Sequence, residues 1–342
     1  IGVLLNDKYG PRWVMFVGGL MFGLGMFTCG FAKSVGNLTL SYGVILGLGL
    51  SLVYGCTISN TIKFFPDKRG MVGGMTTAFY GISSVIFAPV ADALSNAFGA
   101  RATFKILGIV FLVIICAGSF IMQKCPAGFV PTGYVAPVAT GKKANDKTPA
   151  EMLKMPIFYV MLLMLTCGGI FGMMTISQAK GIAINMVNAA PATATLFVSV
   201  LCLFNTAGRL VAGSLSDKLG RINTLTIALV VALVGLAALL GASLTGAMAL
   251  FAVGVILIGI CFGTFMGVFP GFCTDQFGQK NNTVNYGIMW IGFCLAGIVG
   301  PTILTKVHNA TGTYTLAFVI SLCIAVAGLV LTFVYRAVAK KN

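Results

Sequence analysis

A single fixed charge inside an apolar run is where chemistry could occur. Arg209 stands in the run 191–214, eight residues before Asp217. At 1.5 Å per residue this is about 12 Å along a helix, so in a membrane-spanning helix the guanidinium lies deep. An Arg at such depth costs roughly 2.5–3.5 kcal/mol on insertion scales, and a charge kept there is a functional candidate by default. Its planar fork matches a carboxylate in bidentate geometry, and it cannot lose its proton. The chemistry implied is reversible capture of an anion. The bland alternative is a structural Arg satisfied by helix-end carbonyls or by pairing at the membrane face. A second charge group, Gly213, Asp217, Lys218, Gly220 and Arg221, follows directly, and a near copy, Asp7, Lys8, Gly10 and Arg12, opens the chain. Such a link reverses two helices at the membrane surface: Gly supplies φ > 0, and Asp accepts from a helix N-terminus or pairs with a base.

Two further charges fall in or near apolar runs. Asp92 is the only acid within one; it is expected near a helix end, where Arg101 or Lys105 could pair with it, and a proton-carrying role is the alternative. Lys180 lies 24 residues after Pro156, about 36 Å of helix, which predicts an outer-mouth position with a snorkelling side chain or service as a second cation. The one His is His308, and the ten Cys contain no C-x-x-C pair. The interior offers no nucleophile, metal cluster or paired carboxylates, so neither an enzyme nor a cofactor or metal is expected.

The elements that position these groups follow from composition. Hydrophobic residues make up 58% and charged residues 8%, with mean hydropathy +1.00, whereas a soluble domain carries about 25% charged residues. The apolar runs suit helices of about 20 residues near 13–32, 38–60, 71–97, 102–123, 156–179, 191–214, 222–243, 246–270, 283–305 and 314–335. Strand alternation is absent, which argues against a β-barrel. The net charge of +15 lies in short links between the runs, so a lipid bilayer, not nucleic acid, is the implied partner. With the Asp7 turn inside, bases favour the inner segments by about four to one. That places 61–70, 124–155, 216–221 and the C-terminus in the cytoplasm, in a multi-pass protein of the cell membrane.

The two charged turns, each followed by a similar series of runs, mark an internal repeat. The expected division is a bundle over 1–123, a central cytoplasmic loop over 124–155 and a six-helix bundle over 156–342. Two runs precede Asp217 while almost nothing precedes Asp7, so symmetry predicts two helices ahead of the chain, an N-terminally truncated form of a protein with about twelve spans. In the loop, Thr148-Pro-Ala-Glu151 has capping-box spacing and predicts a short helix; an ordinary flexible linker is the alternative. Small-xxx-small pairs at Gly19/Gly23 and Gly43/Gly47, and Gly287, Gly292, Gly297 and Gly300, suit close helix packing in lipid.

Gly213-x-x-x-Asp217-Lys218-x-Gly220-Arg221 resembles the signature loop of the major facilitator superfamily. The first copy departs from it: its Gly is Gly2, one place too early. Its Asp-Lys-x-Gly-Pro-Arg form is similar to that of the oxalate/formate antiporter family. Phe65-Pro66-Asp67-Lys68-Arg69-Gly70, Pro149-Ala-Glu151-Met152-Leu153, Asn205-Thr-Ala-Gly208-Arg209 and Asn285-Tyr286-Gly287 extend the likeness over nearly the whole chain. The resemblance implies an all-α membrane protein with two pseudo-symmetric six-helix bundles, about ten of the twelve helices being present. It implies that Arg209 is the substrate-binding Arg, that Tyr54 and Tyr80 fall at binding tyrosines, and that Trp290 lies one turn before a key position. That position, a Lys in the family's oxalate carriers, holds Phe293. A dianion would there meet a ring in place of a second cation, and an unpaired carboxylate in such a site is costly.

The function expected is therefore secondary transport of a small monocarboxylate such as formate, lactate or pyruvate, in preference to oxalate, by exchange or facilitated alternating access in a monomer. Proton-coupled symport, or a drug or sugar carrier of the same superfamily, remain open alternatives.

Overall fold

The computed structural model describes residues 9–65, 69–126, 129, 146–278 and 280–339. Asp7 and Lys8 of the first signature copy lie outside them. Among the described residues every regular element is helical, and ten helices are long and apolar enough to cross a membrane. They are α1 (Pro11–Cys29), α2 (Val35–Phe64), α3 (Arg69–Phe98), α4 (Ala100–Ile121), α6 (Pro156–Val187), α7 (Pro191–Leu219), α8 (Arg221–Thr245), α9 (Met248–Phe277), α10 (Asn282–Thr311) and α11 (Thr315–Ala339), with the short α5 (Pro149–Lys154) between α4 and α6.

Each expected run is one of these helices, but several helices outlast the run that announced them. A bilayer fixes the minimum length of a span, not the point at which hydrogen bonding stops. α6 continues past 179 to Val187, where Asn188 takes the left-handed conformation at φ 50°, and α10 ends likewise at Gly312 with φ 69°. α2 is π-helical over Thr39–Leu46, a feature without a sequence signal.

The chain divides into two compact units, residues 1–67 with 85–136, and residues 68–84 with 137–342. In the first, α1 packs against α2 and α4. Gly19 and Gly23 bring α1 close to α4: a Cβ on Gly19 would stand 2.7 Å from Ile115, and one on Gly23 would overlap Leu112. Gly43 and Gly47 differ from that expectation. Their nearest neighbours, Thr39 and Tyr42, belong to their own helix, so neither glycine serves a close approach to another one.

In the second unit, α9 is the most deeply buried helix and packs on α6, α7, α8 and α10. Gly168 and Gly172 of α6 leave room for the rings of Phe265 and Phe262, and Phe265 stacks on Phe269 with centroids 5.9 Å apart. The loop ahead of α6 is held against the same unit. The Lys147 N–H donates to Phe277 O at 2.9 Å, and the side-chain amides of Asn281 and Asn285 donate to Lys147 O at 3.1 and 3.0 Å. The predicted capping box forms: Thr148 N donates to Glu151 Oε2 at 2.7 Å and Glu151 N to Thr148 Oγ1 at 3.3 Å. Those bonds hold the Glu151 carboxyl below its ordinary range.

Candidate functional site

Arg209 lies on α7 ten residues before its last residue, Leu219, or about 15 Å from that end at 1.5 Å per residue. Its half-buried side chain is held at two nitrogens. Nε donates to Oδ1 of Asn205, one turn earlier on the same helix, at 3.1 Å. Nη1 donates to the backbone carbonyl of Thr77 on α3 at 2.6 Å. Bonds to a charged group contribute about 1.5–3 kcal/mol each, so two of them offset an insertion cost of similar size. The same two bonds join α3 to α7, so Arg209 has a structural role alongside any contact with an anion.

The backbone around Arg209 is packed unusually closely. On α9, Gly259, Gly263 and Gly267 recur every four residues and face α7 at Leu201, Asn205 and Arg209. From α3, Gly74 approaches Arg209 O and Gly81 approaches Thr206. Sequence reasoning missed this stripe and the Thr77 carbonyl. The i, i+4 spacing of the α9 glycines was the one available signal, whereas a backbone acceptor leaves none.

The aromatic candidates form a second cluster of the same unit. Trp290 and Phe293 of α10 meet edge to face at 4.7 Å, Tyr286 meets Trp290 at 5.9 Å, and Phe293 lies 6.0 Å from Phe262 of α9. Both Trp290 and Phe293 are half-buried. Tyr80 is half-buried on α3, three residues beyond Thr77, and so one helical turn from the carbonyl that Arg209 engages. Tyr54 is half-buried on α2, in the first unit.

Lys180 is exposed on α6, seven residues before its end, inside a helix expected to stop before it. Asp92 is exposed on α3 in the first unit, and Lys105 of that unit sets its ammonium 3.9 Å from the centroid of the Phe31 ring.

The signature turn does both things expected of its Asp. Asp217 pairs with Arg221 at 2.6 Å through one oxygen and accepts the Met71 N–H of α3 at 3.2 Å through the other. Arg221 also reaches Asp275 at 2.9 Å and Ser216 Oγ. Positive φ belongs to Gly220 at 86°, and in the first copy to Gly10 at 82°. Gly213 is helical and buried, with its Cα against Gly74; its part is close approach and not the turn. Arg12 and Lys218 are exposed.

A cavity of about 130 Å³ opens between α7, α8 and α9 beside Gly208, Leu215, Ile260, Thr224 and Thr264. Both threonines turn their hydroxyls onto their own helix, to Gly220 O at 3.0 Å and Ile260 O at 2.9 Å. The cavity is therefore apolar and no place for an anion.

The profile described as Major Facilitator Superfamily matches residues 1–301. The chain belongs to the major facilitator superfamily. Its relatives include an uncharacterized MFS-type transporter, YhjX, of Escherichia coli strain K12, 33% identical over 86% of this chain and 71% of that protein. The oxalate:formate antiporter of Oxalobacter formigenes is 28% identical over 96% of this chain and 76% of its own length. Human monocarboxylate transporter 11 is 25% identical over 98% and 70%. Among solved structures, a variant of the E. coli fucose:proton symporter FucP superposes with a TM-score of 0.66 at 13% identity, over 98% of this chain and 86% of that one. This likeness concerns the superfamily fold. The chain is thus a multi-pass membrane transporter of the superfamily, similar to its oxalate/formate antiporters.

Proposed function

We propose that this superfamily member carries small monocarboxylates such as formate, lactate or pyruvate across the cytoplasmic membrane by alternating access, through exchange or facilitated transport. The observation that carries the reading is Arg209: a permanent cation ten residues inside the end of a membrane helix, fixed by Asn205 and the Thr77 carbonyl. The similarity to an oxalate:formate antiporter and to a monocarboxylate transporter supports the substrate class. Phe293, packed between Trp290 and Phe262, favours one carboxylate over two, because a second would face a ring. Tyr54, Tyr80 and Trp290 are the proposed companions of the carboxylate; Lys180 and Asp92 are accessory charges at most. The loops 61–70, 124–155 and 216–221 and the C-terminus are assigned to the cytoplasm. The division into bundles over 1–123 and 156–342 is part of the same proposal.

Purified protein in proteoliposomes loaded with unlabelled formate should take up labelled formate, with lactate competing well and oxalate poorly. Arg209→Gln should reduce uptake by about two orders of magnitude, the cost of removing about 3 kcal/mol of charge-assisted binding. Wild-type uptake by that variant would overturn the site. Uptake that requires an imposed proton gradient would favour symport over exchange.

A further inference from the structure

This inference rests on Arg209 as the anion site and concerns how that site is held. Asn205 stands one turn before Arg209 and is 7% exposed. Its Oδ1 accepts the Arg209 Nε–H at 3.1 Å. The backbone between the two residues is clamped from α9: a Cβ on Gly263 would overlap Asn205 O and come within 3.0 Å of Arg209 N. The turn that carries both side chains is thereby fixed, and Thr77 O takes a second nitrogen of the same planar group from another helix.

We propose that Asn205 is a positioning residue of the transport site, aiming the guanidinium through a neutral amide so that the cation is oriented without being neutralised. An acceptor is needed there, because an Arg side chain has several rotatable bonds and a loose fork loses affinity to ordering. A carboxylate would orient equally well, but its charge would compete with an anionic substrate for the same cation. The amide separates orientation from neutralisation and suits a carrier whose cargo supplies the negative charge.

The test is uptake of labelled formate by proteoliposomes between about pH 5.5 and 8, where a carboxylate as acidic as formate stays ionised. Asn205→Ala should raise KM about tenfold or more, the loss of one bond to a charged group, while Vmax changes little. In Asn205→Asp, formate binding displaces the new carboxylate from Arg209 and is coupled to its protonation. KM should therefore climb with pH by up to about tenfold per unit, against a flat wild-type profile. Cys202, in electrostatic reach of Arg209 on α7, and Tyr80 on α3 are common to all variants, so the difference in profile isolates position 205. A wild-type KM in Asn205→Ala, including one accompanied by lower Vmax or melting temperature, would reduce Asn205 to packing and overturn the proposal. So would a flat profile in a folded Asn205→Asp. Arg209→Gln measured in parallel separates the two readings. If it is silent, the anion site itself fails; if it is inactive while both Asn205 variants behave as wild type, this inference alone fails.

Discussion

Gly267→Ala is the sharpest perturbation of the α7–α9 contact. A Cβ at Gly267 would stand 2.6 Å from Arg209 O, 3.0 Å from Arg209 Cα and 3.2 Å from Arg209 C. All three are backbone atoms, so no side chain can rotate aside. Ordinary contact begins at 3.4 Å, so α7 must give way by the difference, about 0.8 Å. Retreat is obstructed, because the same carbonyl also faces Gly74 of α3. Overpacking of this kind costs roughly 1–3 kcal/mol. A displacement near 1 Å at a site built for one geometry costs up to about two orders of magnitude in rate. Formate counterflow should therefore fall by about 10- to 100-fold in Vmax/KM, with melting in detergent lowered by several degrees. Gly287→Ala is the control: nothing lies within 4 Å of its added Cβ, and both readouts should stay at wild type. Wild-type Vmax/KM in Gly267→Ala would refute the argument that α9 sets the position of Arg209; a lowered melting temperature alone would leave the packing and remove its link to transport.

Three further outcomes can be checked. Arg221→Ala breaks the contacts to Asp217, Asp275 and Ser216 at once and should lower stability by about 1–2 kcal/mol, read by thermal unfolding; Arg221→Lys should recover only part, since an ammonium lacks the fork. Thr148→Ala should speed amide exchange at Glu151 and Met152 about fivefold, the loss of one N-cap. The lowered Glu151 carboxyl fixes the sign of the pH effect: its contribution is complete above an unfolded value of about 4.3 and disappears as the pH falls through the lower folded value. The protection factor there, taken against the base-catalysed intrinsic rate, should fall in acid in the wild type and be less pH-dependent in Thr148→Ala. Phe293→Lys should raise oxalate uptake relative to formate, read by competition; an unchanged ratio would remove Phe293 from specificity.

What could be read from sequence, and what could not, follows from which interactions leave a mark on residue type. Ten spans were legible because lipid demands long apolar runs, whereas their ends are set by single backbone conformations such as Asn188 at φ 50°. The extension of α6 beyond 179, which places Lys180 inside the helix, was hidden for that reason. Arg209 was legible as one charge in an apolar run. Asn205 was visible only as a motif letter, because its role depends on a side chain turning back by one helical turn. The Thr77 carbonyl was illegible, and Gly259, Gly263 and Gly267 were obscured among 44 glycines. Which glycine of the signature link turns the chain was also illegible: Gly220 supplies the positive φ and Gly213 the close packing.

Consecutive residues of α9 serve the two clusters of the second unit. Phe262 packs on Phe293 of α10, and Gly263 abuts Asn205 and Arg209 of α7. Neighbouring helical residues point about 100° apart, so one helix meets both partners without distortion. An aromatic wall and a cation joined through one rigid element cannot be displaced independently: a small rotation of α9 would shift Phe293 and Arg209 together. Substitutions at Phe262 should therefore alter the affinity for a carboxylate held at Arg209. The effect should be larger for Phe262→Ala than for Phe262→Leu, because the smaller side chain leaves a cavity into which α10 can settle.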